Sequence, residues 1–186
     1  MPRFQNDLID GCCHGTSRRR FCQRLAKLAL TGAGTILVPS TVFALARQDN
    51  WRNCRKCRTL FFNGYRRGRC PAGGSHAGDD RNYKLTYDSP GAGQPEWRFC
   101  SKCDALFYNG FASKGVCPAG GSHFAQGFNF SLRSDGRAVG EHEWRFCTKC
   151  EVLFHNASSS VGACAAGGGH NPAGNLYVLD DSVRID

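Results

Sequence analysis

Nine cysteines and three histidines of this chain stand in one repeated order: Cys54, Cys57, Cys70, His76; then Cys100, Cys103, Cys117, His123; then Cys147, Cys150, Cys164, His170. The pattern is C-x2-C, a gap of 12 or 13 residues, then C-x5-H. Thiolate and imidazole are preferred zinc ligands, and a Cys3His set completes a tetrahedron. A C-x2-C turn brings two thiolates to one ion from a tight bend, and the second pair arrives from a separate loop. Gly73–Gly74 and their counterparts, inside "CPAGGSH", can take the positive φ angles that swing the histidine back. The expectation is three structural Zn2+ sites. Iron is the alternative ion, but Cys3His with no other redox residues favours zinc.

A disulfide framework is the rival reading of so many cysteines. Three cysteines per repeat leave one unpaired in each, and disulfides give no reason for a histidine at fixed spacing. A closed four-ligand site also lacks the open position of a catalytic zinc.

The ligands sit in one unit written three times. The units start at Trp51, Trp97 and Trp144, spaced by 46 and 47 residues. They span 51–88, 97–133 and 144–179, each closing on a short apolar or aromatic run such as "NYKLTY" or "NLYVL". "DSPGAGQPE" and "SDGRAVGEHE" between them are turn-rich linkers. No helix-length apolar period occurs in the repeats, so mainly β structure with loops is expected. "LFFNG" and "LFYNG" read as a strand entering an Asn-Gly hairpin turn. Leu60, Phe61, Leu106, Phe107, Leu153 and Phe154 are candidate core, and His155 a surface residue. The linkers are short, so the units are expected to pack together, as a pseudo-threefold, β-trefoil-like body. Units this small bury too little apolar surface to fold well alone, and metal can replace part of the missing core.

The N-terminus reads as an export signal occupying 1–46, with a signal helix. "SRRRFCQ" is followed by a modestly apolar stretch and by "ALA" at 44–46, the order of a charged region, an apolar region and a cleavage site. Ser17, Arg18, Arg19 and Phe21 resemble the twin-arginine pattern S-R-R-x-F-L-K, with Ala44 and Ala46 at the cleavage site. That resemblance implies the twin-arginine export machinery as a partner, folding before export, and a periplasmic or secreted location. Lys27 and Pro39 interrupt the apolar run, and no stable membrane span is expected in the mature chain. Without 1–46 the formal charge falls from +9 to +5, and the three thiolate-rich zinc sites lower it further.

Residues 51–88 carry +6, against +2 for 97–132 and +1 for 144–179. Lys56, Lys102 and Lys149, one in each C-x-K-C, are placed to offset thiolate charge. The Trp51–Arg52, Trp97–Arg98 and Trp144–Arg145 pairs are candidate ligand-binding residues, since an aromatic face beside a guanidinium suits an acidic sugar. The competing reading makes the tryptophans core. Asp79, Asp80, Asp104 and Glu151 are taken not to recur at matching positions, "EHE" at 141–143 is read as solvated linker charge, and no catalytic set stands out.

The repeat resembles a group of secreted bacterial proteins with tandem W-R-x-C-x-x-C and G-x-C-P-A-G-G-x-H units. The likeness covers 51–179 and brings no established activity. Repeat three departs from it at Ala157, Ala165 and Gly169. The expectation is an exported, non-enzymatic zinc protein that binds a surface polysaccharide or another extracytoplasmic partner. The alternatives are a nucleic-acid-binding zinc knuckle and, last, a secreted hydrolase.

Overall fold

The computed structural model describes residues 45–157 and 160–184. In each repeat the C-x-x-C turn folds one strand back on the last. β1 (Arg47–Asn53) enters the turn at Cys54 and returns as β2 (Leu60–Phe62); β3 (Arg81–Tyr87) pairs with the other edge of β1. The second repeat forms β4 (Gln94–Cys100), β5 (Leu106–Tyr108) and β6 (Ala125–Leu132), and the third β7 (Glu141–Cys147), β8 (Leu153–His155) and β9 (Pro172–Arg184), with the same pairings. Trp51, Trp97 and Trp144 lie opposite Phe62, Tyr108 and His155.

Two rings of strand contacts close the body. β3 pairs with both β6 and β9, and an Arg133–Val178 bridge joins β6 to β9. At the short strands Phe62 donates its amide to Asp104 O (2.9 Å), Tyr108 to Glu151 O (2.8 Å) and His155 to Arg58 O (2.9 Å), so each repeat bonds the next and the third bonds the first. The result is an all-strand, nearly closed barrel-like sheet with pseudo-threefold order and no helix among the described residues. The expected signal helix, with Ser17, Arg18, Arg19, Phe21 and Ala44, lies outside the described residues.

The tryptophans fill the centre. All three are fully buried. Each meets an aromatic of the following repeat edge-on: Trp51 with Phe130 at 5.1 Å, Trp97 with Tyr177 at 5.2 Å, Trp144 with Tyr83 at 5.1 Å. Leu60, Leu106, Leu153, Leu85, Leu132 and Leu179 complete this core. A tryptophan with no exposed face cannot stack on a sugar, which corrects its candidacy as a ligand-binding residue. The paired arginines lie along the sheet: Arg52 donates to Asp79 O (3.1 Å) and Arg98 to Gly127 O (2.9 Å), and Arg145 has its Nε buried.

The Asn-Gly reading also needs correction. β2 and β5 do enter a bend there, but no hairpin forms, because β1 and β4 already occupy the partner edge. The amides of Asn63 and Asn109 donate instead to Asn50 O and Glu96 O, both at 2.7 Å. The glycine serves close packing: a Cβ on Gly64 would stand 2.4 Å from the Phe62 ring, and on Gly110 2.4 Å from Tyr108.

Candidate metal centres

Each C-x-x-C segment is a turn closed by the backbone. The amides of Arg58, Asp104 and Glu151 donate to the carbonyls of Cys54, Cys100 and Cys147, each at 2.8 Å. The three donors all sit at left-handed φ, 64°, 62° and 61°. The other half of each clip is the loop from the third cysteine to the histidine. The amides of Cys70, Cys117 and Cys164 donate to Gly74, Gly121 and Gly168 O, all at 2.8 Å, and both glycines of each pair take positive φ as expected. Lys56, Lys102 and Lys149 tie the halves together by donating to Gly73, Gly120 and Gly167 O at 2.5, 2.6 and 2.5 Å. Their role is thus a staple across the clip as well as a nearby positive charge.

All twelve predicted ligands are gathered, buried, into three groups whose ligand atoms lie within 4.8 Å of one another. Cys54 and Cys70 Sγ are 3.9 Å apart, Cys100 and Cys117 4.0 Å, and Cys147 and Cys164 3.9 Å. The Nδ1 atoms of His76, His123 and His170 lie 3.4, 3.5 and 3.4 Å from Cys57, Cys103 and Cys150 Sγ. A tetrahedron with Zn–S near 2.3 Å and Zn–N near 2.05 Å has S···S edges of about 3.8 Å and S···N edges of about 3.6 Å. The donor sets fit that ion. The sulfur pairs are far from the roughly 2.05 Å of a disulfide bond, and the nine described cysteines are free thiols. The chain therefore holds three structural metal sites, and zinc is the ion that their chemistry suits.

Electrostatics points the same way. The Cys57 and Cys103 thiols are pushed up by the neighbouring thiols Cys54/Cys70 and Cys100/Cys117 and by burial, while Cys54 and Cys100 are pulled down by hydrogen bonds from Cys57/Cys70 and Cys103/Cys117. Three sulfurs cannot all ionise so close together without a cation among them. Cys147 is lowered to about 3, chiefly by its hydrogen bond to Cys150, and Cys164 to about 7 for the same reason. Burial opposes charge on His76 and His123, yet hydrogen bonds to the surrounding thiols outweigh it and raise both to about 9.

In the second and third clips the other ring nitrogen links to the next repeat, whereas the buried His76 Nε2 has no hydrogen-bond partner among the described residues. His123 Nε2 stands 3.1 Å from Cys150 O, and His170 Nε2 3.0 Å from Cys57 O. A metal ligand held by an outer hydrogen bond has its tautomer and ring plane fixed. The rings are also stacked on Phe61, Phe107 and Phe154 at 4.8, 4.9 and 4.6 Å. At the same seams Gly68, Gly115 and Gly162 press their backbone on the neighbour: a Cβ there would stand 2.0, 2.2 and 2.3 Å from Cys103, Cys150 and Cys57 O. The glycine of every clip thus abuts one carbonyl of the following repeat, the third closing on the first, and in the second and third clips the histidine reaches the same carbonyl.

Three functional features were missed from sequence. The glycine opening each "GxC" recurs at fixed spacing, which was a visible signal, but its contact partner is in another repeat. Asp104 and Glu151 do occupy matching positions, directly after the second cysteine, where repeat one has Arg58. Burial pushes the Asp104 carboxyl up, and the Arg66 guanidinium at 3.7 Å offsets this only partly. "EHE" is not loose charge: Glu141 opens β7, accepts from Tyr83 OH, and pairs with Arg81 at 2.7 Å and His155 at 3.3 Å.

Comparison with protein-family models, with curated proteins and with solved structures finds no match. The likeness to secreted tandem-repeat proteins therefore rests on the motif alone.

Proposed function

We propose that the chain is a non-enzymatic, zinc-stabilised binding or scaffold module, exported through the twin-arginine route and acting on a surface polysaccharide or another anionic partner outside the cytoplasm. The observation that carries this reading is the closure of the three centres. Each set has four buried protein ligands and leaves no position for substrate or a reactive water, which is the arrangement of a metal that holds a fold. Contact is then what the surface offers. Repeat one presents exposed Arg66, Arg67 and Arg69 around Tyr65, whose side chain is 74% exposed. Guanidinium forks and an open aromatic ring suit acidic sugars. This patch takes the place that the buried tryptophans cannot fill.

The same pairing of cations with an exposed ring favours a second reading, a single-stranded nucleic acid partner. Two experiments separate the readings. Replacing Arg18 and Arg19 by Lys in the full chain should strand the precursor in the cytoplasm; unchanged export would remove the route. Zinc-loaded protein should retain acidic glycans and lose them in the Arg66→Gln/Arg67→Gln variant, whereas preference for an oligonucleotide would install the second reading.

A further inference from the structure

We propose a second anion site, at the end of the barrel away from the zinc clips, that takes an oligosaccharide bearing carboxylate groups. This deepens the functional reading above and rests on it. β1 runs seven residues from Arg47 before reaching the clip at Cys54, so Arg47 lies about 20 Å from it. There residues 84–86, 131–133 and 178–180 line a hollow of about 420 Å³, which shares Arg47, Lys84, Arg133 and Asp180 with an open cleft of about 860 Å³.

The cleft is cationic. Arg47, Lys84, Arg133 and Arg137 line it, against Asp180. Arg47 is paired with Asp180 at 2.6 Å and Arg133 with Asp135 at 2.9 Å. Lys84 and Arg137 are exposed and make no ion pair among the described residues. The fold does not require these charges. The counterparts of Arg47 in the later repeats are Gly93 and Gly140, and those of Lys84 are Ser131 and Val178. Neutral residues complete the Lys84 position twice, so that cation serves something beyond the barrel, while Arg47 is also engaged by Asp180. Charge complementarity selects an anion, and the arginine forks favour carboxylate held in two bonds. The size of the cleft and its apolar lip, Leu45 and Val139, favour a ring-bearing oligomer over a single small ion.

The test is calorimetric titration of the zinc-loaded chain with a uronic-acid oligosaccharide at low and near-physiological salt. Wild type, Lys84→Gln/Arg137→Gln and Arg66→Gln/Arg67→Gln would be compared, with zinc content as the check on folding. Removing two exposed ion contacts should weaken binding on the order of tenfold and flatten its salt dependence, while a neutral oligosaccharide should not bind. Loss confined to the Arg66→Gln/Arg67→Gln variant would overturn the cleft and leave the functional reading standing. Equal affinity for inorganic phosphate, or preference for a single-stranded oligonucleotide, would also overturn it. Failure to bind any anionic polymer would overturn the functional reading itself.

Discussion

From one clip to the next the ligand distances change by no more than 0.1 Å, but the aromatic clusters beside the short strands do not recur at all three seams. Where repeat one meets repeat two, Phe62, Tyr65 and Phe99 form a triad with ring centres 5.2 to 6.3 Å apart. Where two meets three, Tyr108, Phe111 and Phe146 do the same, 4.9 to 6.2 Å apart. Where three meets one, the matching positions hold His155 and Asn53, and the buried Asn53 Oδ1 has no hydrogen-bond partner. A metal tetrahedron tolerates almost no variation in its ligands. An apolar contact can be exchanged for another at moderate cost. Symmetry is therefore strict in the ligand sets and loose in these aromatic clusters.

The largest effect should come from the strict half. A structural zinc supplies on the order of 10 kcal/mol in small domains, comparable with the whole stability of a domain this size. Cys117→Ser should lower the metal content from three to two and unfold the body as one unit, because His123 is held by repeat three and Cys103 O meets Gly68 of repeat one. Loss of the middle repeat alone, seen by hydrogen exchange, would mean that the clips act as separate beads.

Gly115→Ala probes the shared carbonyl. The new Cβ would stand 2.2 Å from Cys150 O at φ +57°, and a cost of about 3 kcal/mol is expected. Gly120→Ala, with φ +99° but nothing within 4 Å, should cost only about 1 kcal/mol. Urea melts of both zinc-loaded variants measure the difference, and equal costs would deny the seam its close contact.

The loose half predicts less. Phe99→Asn gives the first seam the residue of the third. It removes a half-buried ring that also meets Trp51 at 6.4 Å, and about 2 kcal/mol should be lost in the same melts, with three zinc ions retained. Loss of zinc in that variant would show that the seams and clips are not separable in this way.

A separate effect is in pH. A folded-state value near 9 for His76 and His123, against 6.5 ordinarily, means that the folded metal-free clip keeps a proton which the unfolded chain has released. That stabilisation is complete below about 6.5 and is lost as the pH rises through about 9. Zinc takes the neutral ring and must displace the proton. It must also displace the proton that the neighbouring sulfurs and burial keep on Cys57 or Cys103, so its apparent affinity at these clips should rise about a hundredfold per pH unit across that window. Competition against a chelator at several pH values measures the slope, and a flat profile would contradict it.

The clips were legible in the sequence because metal ligation depends on residue type and on spacing along the chain, and both are written there. Closure into a barrel was legible only in outline, from three equal units and short linkers. The cyclic contacts were not, since Cys57 O and His170 Nε2 meet across 113 residues and nothing local to either names the other. The tryptophans illustrate the remaining gap. Sequence gives their recurrence, but whether the ring faces core or solvent depends on which aromatic of the next repeat arrives. Gln48 adds a detail of the same kind: it accepts from Trp51 Nε1 at 3.1 Å, while its counterparts Gln94 and Glu141 accept from Tyr177 and Tyr83 hydroxyls. Phe130, the matching residue for repeat one, has no hydroxyl, so Trp51 keeps its acceptor, and Trp97 and Trp144 have none among the described residues.

The central claim is that three identical Cys3His centres hold the barrel shut. X-ray absorption at the zinc edge, on protein purified from its own compartment and quantified by native mass spectrometry, tests it most directly. The account predicts three zinc ions per chain, each with three sulfurs near 2.3 Å and one nitrogen near 2.05 Å. Fewer ions, oxygen in the coordination shell, or cysteine–cysteine links in the metal-free mass would contradict it.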